Sequence, residues 1–188
     1  MKVLGIIGSP RKGGNTEALV AEALAVARAE GIETEQVSLA GLLIQGCDAC
    51  MGCRSAKRCV VEDDFQPIYE KMLEADAIII GSPVHFSAPT PSVLALMHRA
   101  GYVAQAAGRP FERKIGGPIT VARRAGQNFA LAQMLFFFLH QGMVVPGSTY
   151  WNIAFGRGLG DVTADEEGIQ TVRNFARNVV WLLRKTRD

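Results

Sequence analysis

No apolar run in this sequence approaches the roughly 18 residues that a membrane-spanning helix requires. Ala77 to Ile80 and Met134 to Leu139 are among the longest and fall far short. The opening Met1-Lys2-Val3-Leu4-Gly5-Ile6-Ile7-Gly8 is too short for a secretory signal core and lacks a small-residue cleavage pattern. A cytoplasmic protein, with no membrane partner, is therefore the expectation. Charge of one sign is missing as well: 20 basic against 18 acidic residues leave a net charge of +2. That balance gives no electrostatic footprint for nucleic acid. Internal repeats and low-complexity tracts are also absent.

What is present is a chain of 188 residues, 48% hydrophobic. Its length is that of one domain, expected over 1–188, and is enough to bury a core without disulfide staples. In a reducing cytoplasm the four cysteines read better as metal ligands or reactive groups than as disulfides.

Strand patterns alternate with helix patterns, the signature of a parallel sheet covered on both faces. Lys2 to Ile7 reads as a buried first strand and Asn15 to Glu30 as its crossover helix, stopped by Gly31. Thr34 to Leu39 follows as strand two and Asp64 to Glu74 as the next helix. Ala75 to Ile80 is strand three, bounded by Gly81-Ser82-Pro83, and Pro91 suits the first turn of another helix. Lys114 to Ala122, Gln127 to Gln141, Met143 to Val145 and Asp165 to Arg184 read as strand four, a helix, the start of strand five and the terminal helix. The expectation is a three-layer, doubly wound α/β fold with a five-stranded parallel sheet in the flavodoxin-like order 2-1-3-4-5. Ligands in such sheets sit at the carboxyl ends of the strands, near the switch between strands one and three. In Phe136-Phe137-Phe138, filling the core is favoured over lining an interface.

Gly8-Ser9-Pro10-Arg11-Lys12-Gly13-Gly14-Asn15-Thr16 joins the first strand to the first helix, where amides can converge on an anion. Its glycines allow close backbone approach, and Ser9, Arg11, Asn15 and Thr16 supply donors. The loop has neither the Walker ending nor the dinucleotide spacing, so a single terminal phosphate fits better. A glycine-rich turn with ordinary helix caps is the plain alternative. After strand three, Gly81-Ser82-Pro83-Val84-His85-Phe86 offers apolar walls and backbone amides to a flat ring. His85 could stack on or donate to such a ring, or be a loop histidine without that role; His98 and His140 fall in helices and read as structural. Arg123 and Arg124 follow strand four. They could meet a phosphate, although paired loop arginines are more often only solvated.

Cys47, Cys50, Cys53 and Cys59 stand within thirteen residues, separated by two, two and five. Three closely spaced cysteines favour an iron-sulfur cluster over zinc, whose structural sites usually split two pairs with a longer spacer. Thiols without a metal, and zinc, stay open as alternatives. The spacing also departs from the ferredoxin run, in which the last cysteine follows after three residues and precedes proline.

These motifs resemble the NADPH-dependent FMN reductase and iron-sulfur flavoprotein families. Gly8-Ser9-Pro10-Arg11 and Gly14-Asn15-Thr16 match their first loop without a gap, and Gly81-Ser82-Pro83-Val84-His85-Phe86 matches their ring-holding loop with His85 where tyrosine is usual. The resemblance extends to the cysteine segment leading into Glu62-Asp63-Asp64-Phe65 and to Gly160-Asp161-Val162. It implies FMN phosphate contacts from Ser9, Arg11, Gly14, Asn15 and Thr16, and ring contacts from Pro83, Val84, His85 and Phe86, with Arg123 nearby. It also implies a 4Fe-4S cluster on Cys47, Cys50, Cys53 and Cys59 in a loop over 46–60, and NAD(P)H as electron donor. The redox partner would be a protein or a small-molecule acceptor, and the assembly a homodimer or homotetramer, the cluster lying near a neighbour's flavin. No general acid or base is assigned. The competing readings are an NAD(P)H-dependent FMN or quinone reductase without a cluster, and a non-catalytic module binding a phosphorylated ligand or zinc.

Overall fold

The computed structural model describes residues 1–186. Its elements are β1 (Lys2–Ile7), α1 (Asn15–Ala29), β2 (Glu33–Ser38), α2 (Cys53–Ala56), α3 (Phe65–Glu74), β3 (Ala77–Pro83), α4 (Pro91–Ala106), β4 (Ile115–Ala122), α5 (Gln127–His140), β5 (Ile153–Phe155), a 3-10 turn (Asp161–Ala164) and α6 (Glu166–Lys185). The five strands form one parallel sheet in the order β2-β1-β3-β4-β5, the expected flavodoxin-like order.

Alternation along the central strands builds the two core layers. Val3 and Ile7 of β1, with Ala77 and Ile79 of β3, pack under α1 and α6. Their neighbours Leu4, Ile6, Ile78 and Ile80 pack under α3, α4 and α5. β1 is buried on both sides, which is why it reads as a continuous apolar run rather than an alternating one.

Three expectations need correction. The fifth strand does not begin at Met143 to Val145: Val144 makes only an isolated parallel bridge to Ile115, and the strand proper is Ile153–Phe155, paired to Thr120–Ala122. Pro146 has no amide to continue a ladder, so the chain leaves the sheet there and returns seven residues later. β3 does not stop before Gly81-Ser82-Pro83. It runs through them, pairing Ser82 and Pro83 with Thr120 and Val121, because a two-sided buried strand is set by its neighbours more than by local propensity. The Phe136-Phe137-Phe138 run divides: Phe137 and Phe138 are buried, whereas Phe136 is 67% exposed, as helical spacing over three consecutive residues requires.

Candidate functional site

At the carboxyl ends of β1, β3, β4 and β5 the structure opens a cleft of about 360 Å³, within the usual range of small-molecule sites. Its walls are Ser9 to Arg11 and Gly14 to Thr16 after β1, Pro83 to His85 after β3, Val121 to Arg123 at the end of β4, and Gly156 to Leu159 after β5. A larger groove lies between α4 and α5, but it has no helix N-terminus aimed into it, whereas the cleft has that of α1.

Gly14 caps α1 without any side-chain cap bond. The first-turn amides of the helix therefore remain for an anion, at its positive end. The loop is braced from within. Ser9 Oγ accepts from the Arg11 amide at 3.1 Å, and Glu17 Oε2 accepts from the Gly13 amide at 2.7 Å. The Asn15 side chain bridges two loops: its Nδ2 donates to the Gly158 carbonyl at 2.8 Å and its Oδ1 accepts from the Val162 amide at 3.3 Å. Its side chain thus ties the loop after β1 to the loop after β5.

On the opposite wall, His85 and Ala88 exchange two backbone bonds of 2.8 and 3.0 Å around Phe86 and Ser87, both in the left-handed region (φ 50 and 65). This tight turn brings Pro83, Val84 and His85 to the cleft and throws Phe86 outward, fully exposed and outside the cleft lining. Two successive left-handed residues without glycine are uncommon, and Gly126 (φ 90) lets the loop before α5 pass close against Ser87. Arg123 lines the cleft; Arg124 does not.

Sequence reasoning missed Gly156, Arg157, Gly158 and Leu159. Once the last strand is placed at Ile153–Phe155, the rule that ligands gather at strand ends points to them. Asp161 fixes this loop, accepting from the amides of Arg157 and Gly158 at 3.1 and 2.6 Å. Arg11, Arg123 and Arg157 therefore present three cations around one cleft, suited to a dianionic phosphate.

The four cysteines border a second, smaller cavity with Val60, Val61, Arg99, Tyr102 and Val103. Positive φ values at Ala49, Met51 and Lys57 turn the loop around it. Among the described residues no three His, Cys, Asp or Glu side chains converge as on one metal ion. A 4Fe-4S cluster takes one thiolate on each of its four irons, and the four thiols that line this one cavity are a donor set of that kind. The Gly52 amide favours the Cys50 thiolate, but the Asp48 carboxylate, desolvation and the charge of Cys59 together outweigh this and leave the thiol pKa raised.

Arg99 was also missed. It stands among the buried residues Leu96, Met97, Ala100 and Val103 of α4 and is itself 1% exposed. Its ion-pair partner Asp63 has a fully buried side chain. Burial pulls the guanidinium pKa down, but Asp63 and Cys59 more than offset that, leaving it raised. Burial likewise pushes Asp63 up, and its bonds from Arg99 and the amides of Gln45 and Phe65 bring it below the ordinary carboxylate value. The available signal was an arginine on the apolar face of a helix.

A doubly wound flavodoxin-like α/β protein with an anion cleft at the β1/β3 switch point is the class that this fold and site define. The family described as NADPH-dependent FMN reductase matches residues 1–158. An iron-sulfur flavoprotein of Methanocaldococcus jannaschii is 38% identical over 191 residues, covering 98% of each chain. Another from Methanosarcina thermophila is 36% identical over 196 residues, covering all of both. Among solved structures, a flavone reductase superposes with a TM-score of 0.74 at 21% identity; all of this chain matches 64% of that one. The chain belongs to the NADPH-dependent FMN reductase family, among the relatives named iron-sulfur flavoproteins, and is a flavin-dependent oxidoreductase.

Proposed function

We propose that this protein binds FMN in the cleft and a 4Fe-4S cluster in the cysteine loop, and passes electrons between them to a redox partner protein or a small acceptor. The observation that carries this reading is the uncapped N-terminus of α1, flanked by Arg11 and Arg157, in a chain that also lines a second cavity with all four of its cysteines. The amides of Asn15 and Thr16 and the guanidinium groups of Arg11 and Arg157 hold the phosphate, while Pro83, Val84 and His85 border the ring. Cys47, Cys50, Cys53 and Cys59 are the cluster ligands. Bound FMN exchanges electrons in pairs or singly, and the cluster singly. The chain's own part is to bind, orient and exclude water, with no side chain needed as acid or base.

The exposed Phe86, on the two-residue turn between His85 and Ala88, supports packing of a second copy near the cleft, in a homodimer or homotetramer. Among the described residues no helix is long and apolar enough to cross a membrane; the site of action in this reading is the cytoplasm, where the four thiols stay reduced and able to ligate.

The test is an absorption spectrum with iron and acid-labile sulfide assays on protein purified without oxygen, beside a Cys50→Ala variant. Flavin bands with about four irons per chain, the iron lost in the variant, support the proposal. Flavin without iron points to a reductase lacking a cluster, and absence of flavin overturns the cleft assignment.

A further inference from the structure

Burying a guanidinium is costly unless its donors are all satisfied. Arg99 meets that condition in full, and the way it does so is specific to the cysteine site. An arginine carries five N–H groups, and here five bonds leave it. Nε donates to Cys59 Sγ at 3.3 Å and Nη2 to the same sulfur at 3.1 Å. The other bond from Nη2 goes to the Val61 carbonyl at 3.2 Å, and those from Nη1 go to the Gln45 carbonyl at 3.2 Å and to Asp63 Oδ2. The guanidinium lies over the Phe65 ring, 4.3 Å from its centroid, so both its plane and its edges are fixed.

Two of the five bonds converge on one sulfur. Holding the loop to α4 needs only the carbonyls of Gln45 and Val61, which lie at its two ends. The fork on Cys59 goes beyond that tie, because it sets two donors on the sulfur itself. Reduction of a thiolate-bound centre adds negative charge, so a cation with two donors on a ligand sulfur stabilises the reduced form more than the oxidised one. Asp63 partly balances the cation from the far side, on Nη1, away from the sulfur.

We propose that Arg99 is a positioning residue of the cysteine site, orienting the Cys59 sulfur through two N–H···S bonds and raising the reduction potential of the iron-sulfur centre. This rests on the reading of the four cysteines as cluster ligands. Asp63 acts in the opposite direction, by countering the charge of Arg99.

The experiment is a potentiometric titration followed by electron paramagnetic resonance, on the intact protein and its Arg99→Gln, Arg99→Lys and Asp63→Asn variants, at matched iron content. For Arg99→Gln the equilibrium constant for cluster reduction is expected to fall at least tenfold, which is 59 mV for one electron. Arg99→Lys, which keeps the charge but loses the fork, is expected to fall between. Asp63→Asn keeps the shape and removes the countercharge, so its potential is expected to rise. A purely structural arginine would change thermal stability or iron content and leave the potential alone. An unchanged potential in Arg99→Gln at full iron content overturns the proposal. Should that variant not retain iron, Asp63→Asn decides: a rise supports the proposal, and a fall or no change overturns it. A wild-type protein without iron overturns the underlying reading of the cysteines, a result distinct from any potential.

Discussion

The hydroxyl of Thr90 donates to the carbonyl of Gly8 at 2.8 Å, inside a region where Thr90 is 2% exposed. The same residue caps α4, accepting from the Val93 amide at 3.4 Å, while its own amide donates to Ser82 Oγ at 3.0 Å. One threonine therefore links the loop after β1 to the segment after β3, the two walls between which a flavin would lie. Thr90→Val keeps the volume and leaves the Gly8 carbonyl and the helix start without their partner. It is expected to lower stability by about 2 kcal/mol and to weaken FMN binding, whereas Thr90→Ser keeps both. Denaturant unfolding and flavin fluorescence titration of the three proteins check this.

Arg157 is exposed and lines the cleft from the loop after β5. Arg157→Ala is expected to weaken FMN binding about tenfold to a hundredfold, the range for a charge-assisted bond to phosphate. Riboflavin, which has no phosphate, should bind the variant and the parent alike. Equal losses for the two ligands would place Arg157 against the ring instead.

Gly8 sits where the loop passes over α4. A Cβ there would stand 2.1 Å from Val93 Cγ2 and 2.9 Å from the Gly81 carbonyl oxygen. Gly8→Ala is expected to cost about 3 kcal/mol by overpacking. Adding Val93→Ala removes the first clash and not the second, so unfolding of the double variant should show only partial recovery beyond the cost of Val93→Ala alone.

The hydroxyl of Tyr69 is buried without a partner, and burial pushes its pKa up to about 12. Tyr69→Phe is expected to be neutral or to stabilise by about 1 kcal/mol, since an orphaned polar group is removed. The folded state holds the phenolic proton more tightly than the unfolded state. The contribution is therefore fully present below the unfolded value near 10 and is lost as pH rises from there to about 12. Stability measured between those limits should fall less steeply in the Phe variant.

How much of this was legible in the sequence follows the range of the interactions concerned. Strand and helix order, the glycine-rich loop that joins β1 to α1 and the grouping of the cysteines depend on residues close in the chain, and the structure places them as read. The fifth strand was misplaced because its pairing is decided by β4, more than thirty residues earlier, and by a proline that interrupts the ladder. Arg157 was missed as a consequence, since its loop is recognised only by its position after that strand. Asn15 read only as a donor to a ligand, and the return of residues 158 and 162, over 140 positions away, is what makes its side chain a bridge between two loops.

The sequence by itself determined the doubly wound fold, the place of the cleft at the strand ends and the grouping of the cysteines, because periodicity, glycine placement and residue spacing are local properties. The tertiary structure alone decided that Phe86 turns away from the cleft and that a buried arginine on α4 closes the cysteine loop. Both depend on contacts between segments that no local pattern connects: Ser87 against Gly126, and Arg99 against Gln45, Cys59, Val61 and Asp63.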